Sequence, residues 1–155
     1  MSSKEENLRD ILQKAFPGKL EAHIQRHRRL WIKVPREDLA PVVKYLAKSL
    51  HFEHLALISG ADAGDAGVLL VYHFFHGGVL LNLKVFVPKS DPKVDTITGV
   101  FPGATLYERE FYEMLGVEPV GHPNPARLLL PENWPGGNPM RKDWKAPDVW
   151  PEGGD

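Results

Sequence analysis

Three features of the sequence predict an α+β fold: apolar residues at helical spacing in three stretches, apolar alternation around a Gly-Gly turn in the middle, and a proline-loaded final stretch that can form neither helix nor central strand. Leu8, Ile11, Leu12 and Ala15 share one face of a helix over residues 4–16, which Pro17-Gly18 ends. Leu20–Gln25 and Leu30–Val34 read as short strands around the basic turn Arg26-His27-Arg28-Arg29. Asp38 is placed to cap a helix over residues 38–50. Pro41 falls at its third position, where a missing N–H has no intrahelical acceptor, and Leu39, Val42, Val43, Leu46 and Leu50 form the buried stripe.

Strands follow at His54–Ser59, Val68–Phe75 and Val79–Val87, the last two joined by the hairpin signal His76-Gly77-Gly78. In Val79–Val87 the period of two puts Val79, Leu81, Leu83, Val85 and Val87 on one face. Gly60–Gly67 reads as a flexible loop and Pro88–Gly99 as a polar one. Ala104–Leu115 returns to helical spacing, with Tyr107, Phe111, Met114 and Leu115 together and Gly116 as the stop. The expected sheet is mixed or mainly antiparallel with four to five strands, helices 4–16 and 38–50 on one face, and helix 104–115 at an edge. Residues 1–116 make this domain. Residues 117–155, with 8 of the 14 prolines and 3 of the 4 tryptophans, are read as an extended strap that docks on a partner.

The absence of cysteine from these 155 residues excludes disulfides, thiolate zinc sites and Cys-ligated iron–sulfur clusters within them. No apolar run approaches the roughly 20 residues of a membrane span, and the opening residues enter an amphipathic pattern, so no secretory signal is expected. Residues 1–50 carry 11 basic and 6 acidic groups and residues 51–116 carry 4 and 8, an asymmetry suited to docking on a charged partner. The histidines at 23, 27, 51, 54, 73 and 76 offer no three-ligand spacing, and no hydrolase signature occurs. A module binding nucleic acid or anionic lipid through residues 26–29 is the alternative reading of another class.

The informative stretch is residues 90–144. It contains Thr96-Ile97-Thr98-Gly99 and Tyr107-Glu108-Arg109-Glu110-Phe111, then Glu113-Met114-Leu115-Gly116, Gly121-His122-Pro123 and Asn138-Pro139-Met140-Arg141-Lys142-Asp143-Trp144. In this order the motifs resemble those of the NuoC-type subunit of respiratory complex I and of related energy-converting complexes, with Leu106-Tyr107, Glu113 and Ala126-Arg127 departing from the usual residues. The resemblance implies an accessory subunit on the cytoplasmic face of the cell membrane. It would be bound to a NuoD-type large subunit, close to the iron–sulfur subunits and only indirectly to the membrane arm, with no role for nucleic acid. It also implies no catalytic residue, metal or cofactor in this chain, the iron–sulfur clusters and quinone, or a nickel–iron centre, belonging to partners. The parent would be an NADH:quinone oxidoreductase or, alternatively, a nickel–iron hydrogenase or a ferredoxin- or F(420)H(2)-oxidising complex.

The expected interface comprises Glu108, Arg109, Glu110 and Glu113 on the helix, and His122, Arg127 and Trp134 beyond it. Consecutive residues 108–110 fan around a helix, so at least one should point away from the sheet. Proline after His122 fixes the imidazole's direction, which suits a packed, hydrogen-bonded ring. Arg141, Lys142, Asp143 and Trp144 read as a clasp of fork, point charge and aromatic anchor.

Overall fold

The computed structural model describes residues 2–126, 129–131 and 133–149. Helix α1 (Lys4–Ala15) is capped by Ser3, whose hydroxyl accepts the Glu6 N–H at 3.2 Å, and it carries Glu5 and Glu6 in its first turn and Lys14 in its last, matching the helix dipole. Strands β1 (Glu21–Arg26) and β2 (Arg29–Lys33) form a hairpin closed at His27-Arg28, Arg28 taking φ 60°. Helix α2 (Leu39–Lys48) buries Leu39, Val42, Val43 and Leu46. Asp38 does not cap it: the residue closes a short 3-10 turn over Arg36–Asp38 with ψ near 0°, so its side chain makes no capping bond and lies 3.8 Å from Lys19 Nζ.

Strands β3 (His54–Asp62), β4 (Val68–His76) and β5 (Val79–Val87) complete a five-stranded mixed sheet in the order β1-β2-β5-β4-β3. Within this sheet only the β2–β5 pairing is parallel. The registers Ile32↔Leu83, Leu83↔Tyr72 and Tyr72↔Ile58 align the buried rows of four strands on one face, where the helices cover them. β3 outruns its expected end because Gly60 sits where helix α3 (Ala104–Leu115) crosses the edge strand. A Cβ there would stand 2.5 Å from Leu115 Cδ1, so the glycine lets helix and strand approach rather than loosening a loop.

The segment expected to be polar loop, Pro88–Gly99, is also partly ordered. Its β6 (Lys93–Asp95) pairs in parallel with β7 (Glu118–Val120), and Val94 and Ile97 are buried. No helix among the described residues is long and apolar enough to cross a membrane.

Candidate interface around helix α3

Helix α3 is a hub to which distant segments are tied one by one. On its inner side, the Tyr107 hydroxyl donates to the Ala56 carbonyl at 2.9 Å, at the bulge in β3. The next residue, Glu108, is fully buried. Its Oε2 accepts the Ile97 N–H at 2.9 Å and its Oε1 accepts the Thr96 hydroxyl, fixing the backbone after β6. Burial raises the Glu108 pKa, while the Thr96 and Ile97 bonds act in the opposite direction.

The outer flank gathers the C-terminal segment. Arg109 Nε donates to the Ala126 carbonyl at 2.9 Å, and the buried Glu113 carboxylate accepts the N–H groups of Leu129 at 2.8 Å and Leu130 at 2.7 Å. A helix leaves its last four carbonyls without intrahelical partners. Here Asn138 Nδ2 donates to the carbonyls of Glu113 at 3.0 Å and Tyr112 at 3.3 Å, and the Met140 N–H donates to Met114 O at 2.9 Å. Gly116 turns away in the left-handed region at φ 77°, and a side chain there would collide with Asn138.

His122 is packed and doubly bonded. Its Nε2–H donates to Thr105 O at 2.9 Å and its Nδ1 accepts the Asn124 N–H at 2.9 Å, which fixes the neutral tautomer. Asp62 accepts from Lys89 Nζ at 2.6 Å, from the Lys142 N–H at 2.8 Å and from the Gly64 N–H at 2.9 Å. These donors, with the Lys89 bond foremost, hold its carboxyl well below the usual range.

The clasp residues engage one another. Arg141 grips Asp143 through two bonds of 3.0 and 3.1 Å, and the Trp144 and Trp134 rings stack at 5.2 Å. Their indole N–H groups donate to Gly136 O and Gly137 O respectively. Arg127 and Trp150 lie outside the described residues.

Of the acids expected at an interface, Glu108 and Glu113 are therefore buried on N–H groups of this chain itself, and Glu110 is exposed. Glu110 borders a groove of about 210 Å³ with Leu57, Tyr107, Met114 and Met140. Leu106, Leu129 and Met140 are 54, 57 and 50% exposed. Sequence reasoning overlooks Asp62, Asn138 and Met140. The last two stand inside a quoted motif, whereas Asp62 lies in a glycine-rich run with no signal of burial.

A model of the family described as "Respiratory-chain NADH dehydrogenase, 30 Kd subunit" matches residues 32–149. The chain belongs to this family of NuoC-type subunits. It is 38% identical over 104 residues to the C-type subunit of the NADH-quinone oxidoreductase of Chloroherpeton thalassium, covering 65% of this chain and 43% of that protein. With the C-type subunit of the F(420)H(2) dehydrogenase of Methanosarcina mazei, it is 35% identical over 135 residues, covering 84% of this chain and 85% of that one. An NADH-quinone oxidoreductase protein of Erwinia tasmaniensis that bears the combined designation C/D is 37% identical over 131 residues, 76% of this chain and 21% of that one. Among solved structures, a component of the archaeal membrane-bound sulfane sulfur reductase superposes with TM-score 0.82 at 25% identity, over 92% of this NuoC-type chain and 86% of the other.

Proposed function

We propose that this chain is a non-catalytic accessory subunit in the peripheral arm of a complex I-like oxidoreductase, on the cytoplasmic face of the membrane. It docks on a NuoD-type large subunit through the outer rim of α3 and the C-terminal segment, beside the iron–sulfur subunits. The observation that carries the reading is the Erwinia tasmaniensis relative, whose combined C/D designation joins a region like this chain to a D-type region in one polypeptide. The exposed Leu106, Leu129 and Met140, with the groove beside Glu110, supply an apolar surface of the kind protein interfaces use.

Its contribution to turnover is positional. Glu108, Glu113 and Asn138 fix the segments around α3, so the rim meets its partner preorganised, and small displacements at a redox site lower rates steeply. Iron–sulfur clusters and quinone, or a nickel–iron centre, belong to the partners. The test is affinity purification from native membranes of the tagged chain and of a Glu110→Lys/Met140→Glu variant. The intact chain should bring down the large subunit and the variant should lose it while melting normally; equal recovery would refute docking at this rim.

A second parent is favoured by similarity. The C-type subunit of the F(420)H(2) dehydrogenase matches 84% of this chain at 35% identity, and the component of the archaeal sulfane sulfur reductase superposes over 92% of it, which suits a dehydrogenase or sulfur reductase of that kind as well as an NADH:quinone enzyme. The electron-input subunits recovered in the same purification decide between them.

A further inference from the structure

All three helices lie on one face of the sheet, and no described element covers the other. A sheet with one face in water normally alternates apolar inward and polar outward. Here the outward rows of the central strands hold Leu69, Val71 and Phe75 on β4 and Leu80 and Phe86 on β5, with Trp31 beside them on β2. Phe75 is 46% exposed. An apolar area of this kind on a sheet marks an interaction surface.

Its charge selects the partner. The register places Arg26, Arg29, Lys33 and Lys84 on this face against the single acid Glu21, in a chain of net charge −1. Among the described residues none of these four cations forms an ion pair. The lysines lie flat: Lys84 Nζ is 4.5 Å from the Trp31 ring centroid and Lys33 Nζ 5.3 Å from that of Phe86, which keeps the positive charge at the level of the apolar surface.

At the centre, His73 bridges Ser59 Oγ at 3.0 Å and Asn82 Oδ1 at 2.8 Å. The Asn82 oxygen can only accept, so the ring donates from Nδ1, and the Asn82 amide nitrogen is left as a further donor. The face thus presents cations and a donor within an apolar field.

We infer that this open face is a second docking surface, which takes an acidic, partly apolar surface of a neighbouring subunit. Carboxylates meet Lys33 and Lys84, and apolar side chains cover Leu69, Val71 and Leu80. A second copy of this chain would set cations against cations, which costs affinity. The surface lies away from the α3 rim, so the chain bridges two neighbours, and this inference stands whether or not the large subunit binds that rim.

The experiment uses the complex purified on the tagged full chain. Lysine acetylation followed by peptide mapping should label Lys33 and Lys84 in the isolated chain and lose that labelling in the complex. A carbodiimide should join them to Asp or Glu of one partner subunit. A Lys33→Glu/Lys84→Glu variant should lose that subunit and keep the large one, and the wild-type labelling serves if the variant does not fold. Undiminished labelling in the complex, or cross-links only to a second copy, would overturn the inference. So would salt-sensitive binding of the isolated chain to phosphatidylglycerol–phosphatidylcholine vesicles that the double variant abolishes.

Discussion

The Lys142 N–H donates to the Asp62 carboxylate at 2.8 Å across 80 positions of sequence, fastening the C-terminal segment to the end of β3. Because its donors lower the Asp62 pKa in the folded chain, the attachment is at full strength above the ordinary aspartate value of 3.8 and weakens as pH falls below it toward the depressed folded value. Limited proteolysis should therefore cut the segment around Lys142 and Lys145 faster in acid than at neutral pH. Asp62→Asn should be cut readily at neutral pH and show a flatter response. Equal protection of the wild type throughout would show that Asp62 is not the fastening.

Glu108 has the opposite sign. Burial raises its folded pKa, so its contribution is greatest below the ordinary glutamate value of 4.5 and declines as pH rises through the raised value. Glu108→Gln keeps an acceptor for Ile97 and removes the buried charge, so its melting temperature relative to wild type should improve with rising pH. Glu108→Ala leaves the Ile97 N–H unpaired and opens a cavity, and should lose about 2–3 kcal/mol in denaturant titration. A Gln variant whose deficit grows with pH would contradict the assignment.

The Tyr72 hydroxyl is buried with no hydrogen-bond partner among the described residues, and burial and then the Glu108 charge push its pKa up. Removing an unpaired buried hydroxyl relieves its desolvation, so Tyr72→Phe should be neutral or stabilising by up to about 1 kcal/mol. A clear loss in thermal unfolding would reveal a bonded hydroxyl.

Gly60→Ala should destabilise by about 1–3 kcal/mol through overpacking, because the new methyl meets Leu115 Cδ1 at 2.5 Å and Leu70 Cδ2 at 3.2 Å, both in the core. Combining it with Leu115→Ala should cost less than the sum of the two changes. Strict additivity would place the clash elsewhere.

Legibility in the sequence follows local periodicity. The alternation of Val79–Val87 and the stop at Gly116 are plain because each depends on neighbours within a few positions. β6 is not legible, since its partner β7 lies more than twenty residues on and neither strand has a pattern of its own. Asp38 carries a capping signal that the preceding 3-10 turn overrides. Glu108 and Glu113 read as outward because charge ordinarily implies exposure; what reverses it is the set of N–H groups on residues 97, 129 and 130, which only the folded chain assembles. Within the stretch read as a strap, residues 117–155, the bonds of Asn138 and Met140 to the last carbonyls of α3 are equally invisible to local pattern, since they join positions some 25 residues apart.

The parallel pairing of β2 with β5, Leu30 beside Leu81, has a consequence for biosynthesis. As the polypeptide leaves the ribosome, the first hairpin has no neighbouring strand to join until β5 has emerged, so the β2 edge stays unpaired while β3, β4 and β5 zip together. A nascent chain stalled before that point should attract chaperones that one stalled after it does not.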